Sequence, residues 1–533
     1  MKTGFTRDQT DGNGNRTPWC FLPRFRIRGS LITRSSLHIG SGDLSEREDI
    51  KGKDGKPVEV ADCFRDCRGL PILPGTSLKG VLRARLQAMP AVDAEALNRL
   101  LGKDSVYQDP GRGGEAVFSD ASMNEDAKQT ALAMPHWDDE KQTWVEVINS
   151  IERERGVTAD KHLAHKEVVA AGSRFDVEIN GRFTDPDESI PLLLAALEGF
   201  NDNTPVTLGA DTGSGKGRMS WRLTGIEKLG KKELEQWLGK DSRGMAYNAF
   251  AKISDEERER WQKLAKTYRQ PGDDRTTIGM TLCFSGPFLV AHPQDIENEP
   301  DVVPRVDHHC CPVLPARSLR GVLRCHGEKI LRTMLDYDNE KWLDPDRQRL
   351  VEQRVACRSE LAARACKPIK HGSETGKRLC LACQLFGAAG WRSPVEIDDF
   401  LLEGDPEIQV QEFVAIDRFT GGGKESAKYS ARAVIDPEFS GKLHCVNPRR
   451  MPDWGLGLLA LILRDLREGR IRFGWGAAAK GYGRIGKAEI RRWDEDDFQK
   501  RAAESWSALV TGISELKNEI EDKLKEIRRR RHA

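Results

Sequence analysis

No stretch of this chain is apolar for the roughly 20 residues that a bilayer span requires. Its first residues, MKTGFTRDQTDGNGNRTP, are polar and glycine-rich, without the apolar centre of a signal peptide. Both absences predict a cytoplasmic protein with no membrane partner. Net charge is almost missing too: 84 Lys+Arg stand against 83 Asp+Glu, leaving +1. That balance excludes a globally basic, histone-like binder, although a basic groove on a neutral surface is invisible to bulk charge. Nucleotide-loop signatures are absent as well. The glycine-rich blocks GADTGSGKGR (209–218) and GWGAAAKGYGR (474–484) carry neither the Walker spacing nor the dinucleotide-binding one.

What is present suits several folded units. At the usual domain size of roughly 100–200 residues, a chain of 533 residues predicts about three or four domains. A composition of 38% hydrophobic and 31% charged residues fits separate cores rather than disorder. Twelve cysteines in a cytoplasmic chain point to metal or free thiols before disulfides, and seven of them lie between Cys310 and Cys383.

The sequence repeats itself. LPILPGTSLKGVLR (70–83) matches CPVLPARSLRGVLR (311–324) at an offset of 241 (311 − 70). Asn149–Gly156 resembles Val414–Gly421 at 265 (414 − 149), and Gly215–Arg218 matches Gly481–Arg484 at 266 (481 − 215). Three blocks in one order make two copies of a module of roughly 220–240 residues. The offset grows by 24 between the first two blocks (265 − 241), which places extra sequence in the second copy, where the cysteines cluster.

Each copy reads as α+β. Phe25–Arg34 alternates like a half-buried strand. Leu78, Val81, Leu82 and Leu86 follow a Pro-Gly turn at helical spacing, with Thr76 or Ser77 as N-cap, and Ser318–Leu331 repeats the pattern. The expected organisation is a first module over 1–225, a charged helical linker over 226–276, a second module over 277–490 with a Cys-rich insertion at 350–390, and a helical basic tail over 491–533. The tail reads as a solvated or partner-docking helix.

The repeated proline turn opens a helix whose positive end, hydroxyls (Ser77, Ser318) and cations (Lys79 and Arg83; Arg320 and Arg324) suit a phosphate backbone. The glycine-rich blocks add Lys216, Arg218, Lys480 and Arg484 where the backbone can approach a polyanion closely. Taken alone, each pattern is equally a helix entry or a tight turn.

Cys380-x2-Cys383, with Cys357 and Cys366 upstream, supplies four thiols within 27 residues, the set a structural tetrahedral zinc takes. His371 is a rival fourth ligand. An insertion poor in apolar residues needs such a source of stability.

LHIGSG (37–42), PILPGTSLKG, the terminal G-x-G-R loops, CLACQLFG (380–387) and AIDRFTGG (415–422) together resemble the RAMP superfamily. These are CRISPR-associated backbone subunits of type III effector complexes, here resembling two fused in tandem as in subtype III-D. The resemblance implies ferredoxin-like, RRM-related cores with projecting thumbs. It also implies that the modules grip a CRISPR RNA beside other effector subunits, while the thumbs kink the duplex formed with target RNA. His38 and Arg418 join the expected RNA contacts on this ground.

In target-cleaving members an Asp lies in a D-x5-D pattern before the proline turn and cuts at the kink with a divalent metal, Mg or Mn. Asp301-x5-Asp307 matches it, making Asp301 the catalytic candidate. In the first copy Asp66 lies over Asp307 but Val60 lies over Asp301, leaving Asp62 or Asp54 as substitutes. A non-cutting scaffold, and a precursor-RNA nuclease using His38 as base, are the alternatives.

Overall fold

The computed structural model describes residues 23–51, 55–103, 111, 113–130, 134, 136–152, 157–202, 205–238, 250–269, 276–292, 300–307, 309–335, 344–358, 365–367, 378–405, 407–445, 451–475, 480–491 and 495–532. Asp54 and His371 lie outside them.

The first repeat runs β1 (Arg24–Thr33), β2 (Gly40–Lys51), β3 (Pro57–Cys63), β4 (Ile72–Leu73), α1 (Gly75–Gln87), α2 (Ala94–Leu101), β5 (Ala116–Phe118), β6 (Ala121–Met123), β7 (Thr143–Glu152), β8 (Val157–Val169), β9 (Arg174–Arg182), α3 (Pro186–Leu197), β10 (Met219–Leu229), α4 (Lys231–Leu238), β11 (Ala251–Lys252) and α5 (Asp255–Tyr268). The second runs β12 (Thr276–Ser285), β13 (Pro287–Phe288), β14 (Val313–Leu314), α6 (Ala316–Met334), α7 (Pro345–Arg354), α8 (Leu381–Phe386), β15 (Val395–Ile397), β16 (Phe400–Glu403), β17 (Glu407–Ile416), β18 (Gly423–Ile435), β19 (Glu438–Cys445), α9 (Gly455–Arg467), β20 (Arg484–Ile490) and α10 (Asp496–His532).

The two sheets have one topology. The order β10-β1-β9-β6-β4, with β5 also on β9, matches β20-β12-β19-β16-β14, with β15 also on β19. Each central pair even carries a bulge, at Arg28/Gly29 and at Cys283/Phe284. Helices cover one face of each sheet. Asp185 caps α3 by accepting from Asp187 N and Glu188 N, and Pro186 fills the first turn, where its missing N–H costs nothing. The rest of α3 is apolar nearly all round because it lies between other helices, and Ile190–Leu197 are all buried.

The charged segments on either side of the second repeat are not free. Trp261 of α5 is buried in the first core, edge-on to Phe25 at 5.8 Å, and its indole N–H donates to Asp187 at 2.7 Å. Leu509, Ile513, Ile520 and Leu524 of α10 belong to the second core. Each is therefore the closing helix of its own module, packed on α3 and on α9 respectively.

Projecting hairpins complete both units. In the first, β7 and β8 join β3 and β2 in a separate four-stranded sheet, and Val145 and Val147 are buried. In the second, β17 is an edge strand whose Ile408, Val410, Val414 and Ile416 alternate along an exposed face toward a fully exposed Phe419 at the tip.

Candidate nucleic-acid interface, acid site and metal centre

The proline turns do open helices, but each helix starts before the expected cap. Pro74 and Pro315 occupy the N-cap position, so Thr76, Ser77 and Ser318 fall inside the first turn. The first amide of each helix donates to an aspartate, Gly75 N to Asp120 at 2.8 Å and Ala316 N to Asp399 at 2.7 Å. A carboxylate thus already satisfies the positive helix end proposed for phosphate. Ser77, Lys79 and Ser318 remain half-buried on this turn.

One turn on, the arginines face inward. Arg83 donates to the carbonyls of Leu101 and Gly102, both at 2.7 Å, closing the C-terminus of α2. Arg320 donates to the Phe386 carbonyl and Arg324 to that of Gly387 at 3.1 Å, closing α8. The repeated charge therefore holds the end of a neighbouring helix in each module.

The first glycine loop joins the modules. Lys216 pairs with Glu146 at 2.7 Å. Arg218 crosses to the second module, pairing with Asp398 at 2.8 Å and the buried Glu396 at 3.3 Å. His444 donates from Nε2 to the other oxygen of Asp398 at 2.8 Å. Arg317 pairs with Asp211 at 3.1 Å, and Arg305 donates to the Val147 carbonyl at 3.0 Å, clamping the first hairpin. Gly213 lies so close to Arg320 that a Cβ there would sit 1.9 Å from its guanidinium. In the second module, by contrast, Arg484 and Arg418 are exposed.

Both loops use glycine for the same contact. Gly217 (φ +72°) and Gly483 (φ +64°) would place a Cβ 1.8 Å from Leu208 O and 1.7 Å from Phe473 O. Gly483→Ala is expected to destabilise the protein by about 2 kcal/mol or more in denaturant unfolding. Gly321→Ala should be neutral or stabilising, because that helical glycine faces open space.

Lys480 stands in an aromatic box, 4.4 Å from the Phe413 ring, 4.9 Å from Tyr429 and 5.2 Å from Trp475. Cation–π attraction fixes its ammonium against the second hairpin, past the midpoint of its ladder toward the tip. Sequence inspection missed the box because its rings are far apart in the chain. His38 is buried. Its Nδ1 donates to the Glu167 carbonyl at 2.6 Å, which fixes the tautomer, and burial lowers its pKa, keeping the ring neutral.

Asp301 is exposed beside β18. Its Oδ2 accepts from Ser430 N at 2.7 Å and Ser430 Oγ at 3.1 Å, and these bonds hold its carboxyl below the usual carboxylate range. Duplicated backbone bonds fix the correspondence between modules. Phe64 N to Ile39 O repeats as Arg305 N to Val290 O, and Asp66 N to Leu70 O repeats as Asp307 N to Cys311 O. Val60 is thus the counterpart of Asp301, and it is fully buried with Ile50 and Val145. Asp62, two residues on, accepts from Ser45 Oγ at 2.6 Å.

The four cysteines converge. The sulfurs of Cys357, Cys366, Cys380 and Cys383 all lie within 4.8 Å of one another, Cys357 and Cys383 at 3.4 Å. A tetrahedral zinc with Zn–S near 2.3 Å spaces its sulfurs by about 3.8 Å, so the set fits. Backbone N–H groups of Cys357 and Cys380 point at the sulfurs of Cys380 and Cys366, at 3.3 and 3.4 Å. Hydrogen bonds among the clustered thiols shift them in opposite directions, Cys357 and Cys383 below their ordinary value and Cys366 and Cys380 above it. Bound there by four protein ligands, a metal would cross-link α8 to the segment after α7, as in a structural site.

Among the described residues no helix is long and apolar enough to cross a membrane. The RAMPs family, described as the RAMP superfamily, matches residues 30–220 and 295–486. Similar proteins include the CRISPR system Cms endoribonuclease Csm3 of Streptococcus thermophilus, 29% identical over 176 residues that cover 31% of this chain and 71% of that one. Proteins of the same description from Mycobacterium tuberculosis (30% over 196 residues; 33% and 75%) and Methanocaldococcus jannaschii (26% over 216 residues; 37% and 77%) align similarly. Each alignment spans about a third of this chain, as a single module would. With both halves matched separately and sharing one sheet order, the chain belongs to the RAMP superfamily, as two modules in tandem.

Proposed function

We propose that this chain is a CRISPR RNA-binding backbone subunit of a type III effector complex, fused in the manner of subtype III-D, that cuts guide-complementary target RNA through its second module. The observation that carries this reading is Asp301, an exposed carboxylate fixed by Ser430 midway along the second hairpin, where the first module has a buried valine. The Csm3 relatives, named as endoribonucleases, support it. Arg418, Arg484 and Lys79 are the cations best placed for RNA phosphates, and the apolar face of β17 with Phe419 suits a wedge against stacked bases.

A kinked ribose can set its own 2′-OH in line with the next phosphate, so much of the acceleration is positional. With its pKa held low, Asp301 is ionised at neutral pH and is a weak proton acceptor there. Its role is to orient the 2′-OH or hold Mg or Mn, which would neutralise developing phosphate charge. The first module binds without cutting. Its glycine loop is spent on the second module, whose own loop and hairpin are left for a neighbouring effector subunit.

The tagged chain, purified with its partners, should carry repeat-derived guide RNA and cut a complementary RNA when Mg or Mn is supplied. Random RNA content would remove the proposal, and guide RNA without cutting would reduce the chain to a scaffold. Ser430→Ala supplies a pH test. Losing the hydroxyl donor lets the Asp301 pKa rise, so activity, which needs the carboxylate, should fade at higher pH on acidification than in the parent. Single-turnover rates across the acid limb measure the shift.

A further inference from the structure

Arg324, expected on sequence to contact phosphate, is turned toward sulfur. Its Nη2 donates to Cys383 Sγ at 3.0 Å and lies 4.0 Å from Cys357 Sγ. The remaining nitrogens hold the fork in place, with Nε on Glu328 at 2.9 Å and Nη1 on the Gly387 carbonyl at 3.1 Å. Glu328 is fully buried. Among the described residues, the matched Arg83 makes the helix-closing bonds to Leu101 and Gly102 and none to sulfur. One inherited position thus performs one task in the first module and has a sulfur partner added in the second.

Four thiolates around a divalent cation carry a net double negative charge in a buried setting, which costs free energy unless neighbouring groups compensate. A guanidinium within hydrogen-bonding distance of one thiolate offsets part of that charge and restricts the sulfur's rotation. We propose that Arg324 is the positioning residue of the four-cysteine centre, fixing the Cys383 sulfur through its guanidinium fork and slowing escape of the metal. The inference rests on reading that cluster as a metal site.

The test uses the full chain, its metal content, and release into a chromogenic chelator. Zinc should be bound at one per chain, and Arg324→Met should release it about 10–100-fold faster. Arg324→Lys, which keeps the charge but not the fork, should fall between. Because Arg324→Met removes one partner of the buried Glu328, the Arg324→Met/Glu328→Gln double variant repeats the measurement without that carboxylate. In cobalt-loaded protein the thiolate-to-metal charge-transfer band should move to longer wavelength once the donor is gone, a shift that mere loosening of the fold would not produce. Arg83→Met should alter neither readout. A parent chain without bound metal would overturn both the metal reading and this inference. Bound metal with unchanged release and an unchanged band in both Arg324 variants would overturn this inference alone.

Discussion

Asp301→Asn is expected to slow cutting of a complementary RNA by roughly 10²–10⁴-fold while leaving guide retention intact. Asparagine keeps an oxygen to accept from Ser430 N, so the local backbone has no reason to move. What is lost is the negative charge, which alone can orient a hydroxyl proton or hold a divalent cation. Asp62→Asn should leave the rate and the cut positions unchanged, because that carboxylate is engaged with Ser45 and the position matching Asp301 is Val60. Mapped cleavage products from the two variants decide the matter. Cutting by Asp301→Asn at the parental rate and position would remove this residue from the chemistry.

Cys383→Ser should produce the largest loss of stability. Cys357, Cys380 and Cys383 sit within the second core rather than on a surface loop, and they tie α8 to the end of α7. A serine cannot supply the thiolate that zinc prefers, and metal binding of this kind is folding free energy. A loss of at least about 3 kcal/mol, or roughly 6–12 °C in Tm, is expected for a unit of this size. Chelation of the parent should reproduce it, and the variant should then no longer respond to chelator. A Tm unchanged by either treatment would show that the sulfurs merely pack. The first module closes the equivalent place differently. There α2 is capped by Asp93 and buries Leu97, Leu100 and Leu101, so apolar surface replaces the thiols.

Much of the architecture was legible because duplication gives each reading a second witness. The proline turns, the matched arginines and the offset of the two acid positions all hold in three dimensions. The four thiols are legible because ligand chemistry restricts residue type. The destinations of the basic residues were not legible. Lys216, Arg218, Arg320 and Arg324 carry the sign that phosphate demands, yet each has a partner supplied from another element of the chain. Charge sign constrains what a residue can bind, whereas topology decides what reaches it first. The closing helices α5 and α10 were also obscured. Each spends most of its surface on water, and a single buried stripe, Trp261 and Ala265 in α5, docks it.

The clamp between the halves has a consequence for counting. Separate one-module proteins can add along a strand in any number, each free to swivel before it settles. Here Arg218, Arg317 and Arg305 have already joined two units in a fixed attitude, so on the proposed function a guide strand would be covered in double steps. With the proposed cutting acid on alternate units only, such an array would be a ruler whose marks stand one full tandem length apart.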